Sequence, residues 1–127
     1  MITDLKGIIV KHRALLVSTI NELKVVEFDA DNEYKTLSDG VGWYIECVRL
    51  PTTAKELDAP IIMWVNENGL LKGLPHNYFG SFLYTINFGV TEPIVGDIVL
   101  TGGTDEEGNT LGLTDSQLNA IYEGWNK

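Results

Sequence analysis

The longest apolar runs in this sequence, such as Ala14-Leu15-Leu16-Val17 and Pro60 to Val65, stop after a handful of residues. That shortness constrains the fold more than any other feature. A membrane-spanning helix needs about 20 consecutive apolar residues, so none is expected. The buried segments must instead be short strands or short amphipathic helices, many of them, joined by polar turns. With 127 residues, the chain is long enough for one domain that buries roughly two-thirds of its unfolded surface. No Pro/Ser-rich linker or repeat divides it. Hydrophobic residues at 44% and charged residues at 21% are ordinary for a globular protein and exclude a disordered chain.

The local pattern supplies the elements. Ile8 to Val10, Ala14 to Val17 and the alternating Leu23 to Phe28 read as strands, with the polar Ser18 to Glu22 as a hairpin turn. Asp29 to Asn32 can cap a short helix from the low thirties to Asp39, with Tyr34, Leu37 and Val41 at helical spacing, which Gly40 and Gly42 then end. Trp43 to Leu50 reads as a strand closed by Pro51, and Thr52 to Asp58 as a polar connection. Ile61 to Val65 is the strongest strand signal. Beyond it, Asn68-Gly69 predicts a type I′ turn, because both of its central residues need positive φ, and a return strand through Leu70 to Lys72. Asn77 is placed to cap a helix from Tyr78 to about Ile86, and Ile94 to Leu100 reads as another strand. Thr101 to Gly112 is glycine-rich and acidic, which suits an exposed loop. Thr114 and Gln117 form a capping-box pattern ahead of Leu118, Ile121, Tyr122 and Trp125, an amphipathic last helix. Four to six short strands and two or three short helices, without regular β-α alternation, predict a single α+β domain with a small mixed or antiparallel sheet. Residues 1–13 read as an extension joined to a domain over 14–127.

Charge narrows the function. Eighteen acidic against nine basic side chains give a net charge of −9. Residues 1–26 carry +2, so residues 27–127 carry −11. A field of that sign repels phosphate backbones, which argues against direct nucleic-acid binding and for solubility or a basic protein partner. The lone Cys47 cannot form an internal disulfide, and no signal-peptide pattern is present near the N-terminus. A cytoplasmic protein is the expectation.

Chemical constellations are sparse. Cys47 and His76 could pair as thiolate and base, but Cys47 sits in an apolar strand where a small buried hydrophobe is expected. Asp29-Asp31-Glu33 and Asp105-Glu107-Asn109 begin a calcium-loop spacing, then miss its glycine and its final glutamate. Gly102-Gly103 lacks the lysine of a phosphate loop. We therefore assign no catalytic residue, metal site or cofactor from the sequence. The turn Lys72 to Asn77, with Gly73 and His76, sets one cation before a helix start and could border a small anion site. Asp105, Glu106 and Glu107 form a candidate acidic docking patch. The aromatics Trp43, Tyr44, Trp64, Tyr78, Phe79 and Phe82 surround the most distinctive segments and are interface or core candidates.

Those segments are Gly42-Trp43-Tyr44-Ile45-Glu46-Cys47-Val48-Arg49-Leu50-Pro51 and Asn66-Glu67-Asn68-Gly69-Leu70-Leu71-Lys72-Gly73-Leu74-Pro75-His76-Asn77. Together they resemble the two core motifs of a family of small proteins from phages, plasmids and conjugative elements, described as a domain of unknown function. The resemblance covers roughly residues 14–117. It departs at Trp43, where the family pattern has a second glycine, and at His76, where it has proline. What it implies is a genetic setting, not a mechanism. A small acidic accessory protein that binds a host or element protein through Trp43, Tyr44, Glu46 or the acidic patch is the leading expectation; a small-molecule or nucleotide-binding module using the 72–77 turn is the alternative.

Overall fold

The computed structural model describes residues 10–50, 60–89 and 92–125. The strand reading at Ile8-Ile9, the connection Thr52 to Asp58 and most of the 1–13 extension lie outside these residues. The chain runs β1 (His12–Val17), β2 (Leu23–Phe28), α1 (Glu33–Val41), β3 (Ile45–Leu50), β4 (Ile61–Asn66), α2 (Tyr78–Phe88), β5 (Ile98–Gly102) and α3 (Asp115–Trp125). All five strands join one antiparallel sheet in the order β2-β1-β5-β4-β3. This is the expected α+β class. β1 starts at His12, so the boundary read at residue 13 falls inside a strand whose His12 and Arg13 pair with Phe28 and Glu27.

Alternation along the strands feeds two cores, one on each face of the sheet. Leu15, Val17, Ile61, Met63, Val65, Ile98 and Leu100 pack with Phe79 and Leu83 of α2 and Leu118 and Ile121 of α3. On the other face Ala14, Phe28 and Val99 pack with Leu37 and Val41 of α1, and Trp64 and Ile45 border them. β4 is apolar on both faces because both are covered there. Burial of each large aliphatic side chain contributes about 1.5–3 kcal/mol. The indole of Trp64 donates to the buried Thr101 hydroxyl at 2.9 Å, which makes a polar atom between the layers affordable.

Several local readings hold. The Ser18 to Glu22 turn closes β1 and β2, with Asn21 at φ 67° as its left-handed residue. The Asn77 side chain accepts the Gly80 N–H at the start of α2, and Thr114 and Gln117 exchange backbone-to-side-chain hydrogen bonds of 2.9 and 3.0 Å at the start of α3.

Others are corrected. No return strand follows Asn68-Gly69, and neither residue has positive φ. The Asn66 carboxamide accepts the Asn68 N–H, Lys72 N–H donates to Asn68, and the chain makes one helical turn. Gly73, at φ 67°, then ends it: Gly73 N–H donates to Leu70 and Leu74 N–H to Gly69, the paired bonds of a Schellman motif. Gly40 lies inside α1 rather than ending it. A Cβ there would stand 2.5 Å from Val99, so glycine lets the helix approach the sheet, and Gly42 at φ 80° terminates the helix. Asn32 precedes α1 without a side-chain cap; Asp29 organises the turn instead, accepting the N–H groups of Asp31 and Asn32. Trp43 and Tyr44 precede β3. β5 begins at Ile98, because Gly96 turns the chain at φ 81°, and extends through Thr101 and Gly102 into the segment read as loop. Cys47 is exposed, not buried, since β3 is an edge strand and the helix cover reaches no farther than Ile45 on that face.

Candidate functional site

The two motif segments meet at one end of the sheet. Strands β3 and β4 pair Ile45 with Asn66 and Glu46 with Val65, and the Glu67 N–H donates to the Tyr44 carbonyl at 3.0 Å. Asn66 is buried, and its side chain donates to the Val41 carbonyl at 3.2 Å, tying the end of β4 to the end of α1. The helical turn that follows projects Lys72 back across the first motif. Its ammonium lies 3.1 Å from the centroid of the Trp43 ring, a cation–π contact, and Trp43 meets Tyr44 edge to face at 5.4 Å.

Asn77 organises the second motif from inside. Its side chain is fully buried, donates to the carbonyls of Val17 and Gly96, and accepts from Gly80. Its N–H donates to Ile94, and the Pro75 carbonyl accepts from Gly96. The Ser81 hydroxyl accepts the Ile94 N–H at 2.9 Å and shares a 2.9 Å hydrogen bond with His76 Nε2. The His76 ring stacks on Tyr78 at 4.4 Å. These bonds hold the segment before β5 against the turn after β4.

Between them lies a cleft of about 630 Å³. Val48, Val65, Tyr84, Ile94 and Val95 form apolar walls, and Glu46, Glu67 and Glu92 bring three carboxylates to it. Leu70 and Leu71 line it while remaining exposed. Among the described residues that line it there is no lysine or arginine. Gly69 permits the close wall: a Cβ there would stand 2.8 Å from Val95 Cγ2. The cleft thus sets acidic side chains beside apolar walls.

Of the residues singled out in the sequence, Trp43, Tyr44, Glu46, Lys72 and Gly73 are drawn to this end of the sheet. Asn77 is a buried structural residue. Lys72 is engaged with Trp43. Asp105, Glu106 and Glu107 lie at the other end, because their loop follows Gly102, which pairs with Ile61 at the far end of β4 from Asn66. Asp105 organises that loop, accepting the N–H groups of Glu107 and Asn109, and these bonds hold its carboxyl below its ordinary value. Trp64 and Phe79 are core, whereas Tyr44, Tyr78 and Phe82 are exposed. Glu67, Tyr84 and Glu92 were not singled out; Glu67 belongs to the second motif, but Tyr84 and Glu92 join the cleft only through the tertiary fold. No group of three potential metal-ligating side chains occurs among the described residues, and no described helix is long and apolar enough to cross a membrane.

No curated protein and no solved structure matches the chain. The family model for the domain of unknown function DUF3846 matches residues 11–126, a span that takes in both motifs and every element lining the cleft. The chain therefore belongs to the DUF3846 family.

Proposed function

We propose that this protein is a cytoplasmic binding module that docks a basic, partly apolar segment of a protein partner into the cleft between β3, the turn after β4 and the segment before β5. The observation that carries the reading is the pairing of Glu46 and Glu67 with apolar walls in a cleft whose described lining has no cation. An arginine or lysine side chain would lay its methylene stem on Val48 and Tyr84 and bring its head to the carboxylates. The net charge of −9 would steer such a partner toward the molecule. The engagement of Lys72 with Trp43 and the burial of Asn77 favour this over an anion site on the 72–77 turn. The resemblance of the two motifs to proteins of phages and conjugative elements supports an accessory role in such an element, with the partner a host or element protein.

The test is selection of a random peptide library on the immobilised protein. Selected peptides should combine lysine or arginine with aliphatic residues and bind less well as salt rises. Replacing Glu46 and Glu67 by glutamine should slow their association more than it speeds their release. Selection of neutral or acidic peptides, or binding unchanged in the double variant, would overturn the reading.

A further inference from the structure

Strand β3 ends the sheet, and the described residues place no strand beyond it. Its main-chain groups can be assigned by alternation. The Glu67 N–H donates to the Tyr44 carbonyl at 3.0 Å, so Tyr44 turns its main chain toward β4, and in an antiparallel ladder Glu46, Val48 and Leu50 do the same. Ile45, Cys47 and Arg49 therefore aim their N–H and C=O groups at the open edge, and none of them has a hydrogen-bond partner there among the described residues. Side chains alternate between the two faces. Glu46 and Val48 line the cleft, whereas Ile45 packs on the core of the opposite face. Native sheets blunt their edges with proline, a bulge, a very short strand or charge. β3 has six residues, no proline, and an unbroken register with β4 from Ile45–Asn66 to Leu50–Ile61. Its safeguard is charge, Glu46 on the cleft side and Arg49 on the other. A charge excludes a strand with the same sign opposite it and admits one of the other sign.

We infer that the docked segment is an extended strand that hydrogen-bonds to Ile45, Cys47 and Arg49 on the edge of β3, with a lysine or arginine opposite Glu46 and an aliphatic residue two positions away, opposite Val48. The inference rests on the docking reading above and gives the partner a backbone conformation. The period of the free groups selects a strand: donors and acceptors that recur at every second residue are matched by another extended chain. A helix cannot meet them, because its own N–H and C=O groups are already paired along the helix. Charge selects which strand. Side chains directly opposite each other stand about 5 Å apart, so a basic residue there faces Glu46, with Glu67 on the same cleft lining. A second copy of this chain would bring another net charge of −9 to an edge that already holds these two carboxylates, whereas a basic segment is drawn to them.

Amide hydrogen exchange of the full chain, read residue by residue by NMR, tests this with the acetylated and amidated hexapeptide Thr-Arg-Thr-Val-Thr-Arg, which sets arginine and valine on one face of a strand. In the free protein the amides of Ile45, Cys47 and Arg49 should exchange fast and those of Glu46 and Val48 slowly. Peptide at about ten times its dissociation constant should slow the first three about tenfold, because only about one molecule in eleven stays unbound. The isomer Thr-Arg-Val-Thr-Thr-Arg has the same charge but its valine on the opposite face, and should bind about tenfold more weakly, as loss of one buried valine does. Binding that leaves the three edge amides fast, or equal binding of the two isomers, would overturn strand addition while the docking reading stands. Slow exchange of those amides in the free chain would overturn it as well, since the edge would then already be covered, by a second copy if the slowing grows with protein concentration. Failure of both peptides to bind would count against the docking reading itself and take this inference with it.

Discussion

The side-chain amide of Asn77 donates to the main-chain carbonyl of Val17 at 3.1 Å, joining the start of α2 to the end of β1 across 60 residues of sequence. The same NH₂ group reaches Gly96 at 2.9 Å, and the side-chain oxygen caps α2 through Gly80. One fully buried side chain therefore fixes three segments, two of which also bound the cleft.

Asn77→Ala should lower unfolding free energy by about 2–4 kcal/mol, because buried carbonyls lose their donors and the helix loses its cap. Asn77→Asp should behave differently with pH. The new carboxyl keeps the cap but faces two carbonyl oxygens in a dry site, so its folded pKa rises above the unfolded value near 3.9. A raised carboxyl pKa favours the folded state at low pH and loses that advantage as pH rises. The deficit of Asn77→Asp relative to wild type should therefore shrink between pH 7 and pH 5, read from urea unfolding curves.

Contact between Lys72 and Trp43 gives a second prediction. Because both groups are partly solvated, their coupling in a double-mutant cycle of Lys72→Ala and Trp43→Ala should be about 0.5–1 kcal/mol. A coupling of zero in thermal or chemical unfolding would show that the ammonium does not hold this position in solution.

A third prediction concerns Lys11 and Asp29. Their 2.9 Å ion pair raises the lysine pKa and lowers that of the aspartate, whose carboxylate also accepts two backbone N–H groups. For Asp29 the depressed folded pKa gives stability present above the unfolded value near 3.9 and lost as pH falls through the folded one. The raised Lys11 pKa gives stability present below about 10.4 and lost as pH climbs past the folded value. Wild-type unfolding midpoints should be flat with respect to this pair at neutral pH and fall at both extremes. Asp29→Asn should flatten the acid limb, and Lys11→Met should flatten the alkaline one.

What could be read in the sequence was whatever depends on near neighbours. Alternation from Leu23 to Phe28 and the Thr114–Gln117 exchange are local, so they identify a strand and a helix start without reference to the rest of the chain. Asn68-Gly69 misleads because the pair serves a helical turn equally well once Asn66 accepts the Asn68 N–H, and because Gly69 is needed for its lack of a side chain beside Val95. Cys47 follows from strand order, which periodicity does not encode. The cleft needs three segments, and nothing local to the third, from Glu92 to Val95, places it beside the other two.

The last prediction joins fold to function at Gly69. Its backbone lies outside the left-handed region, so alanine there meets no φ penalty; the obstacle is Val95 Cγ2, 2.8 Å from the new methyl. Valine at 95 must rotate or move, and since both residues line the cleft, the displacement is felt on the wall that the docking model assigns to the partner's apolar group. Overpacking of this kind costs about 1–3 kcal/mol. Gly69→Ala should thus lower stability by an amount in that range and weaken peptides selected for the cleft. Adding Val95→Ala removes the clashing methyls and should restore stability and binding together. If the double variant regains stability while binding stays as weak as in Gly69→Ala, the Val95 side chain itself contacts the partner. If Gly69→Ala loses stability with no change in binding, the partner does not occupy this wall, and the docking site lies elsewhere on the molecule.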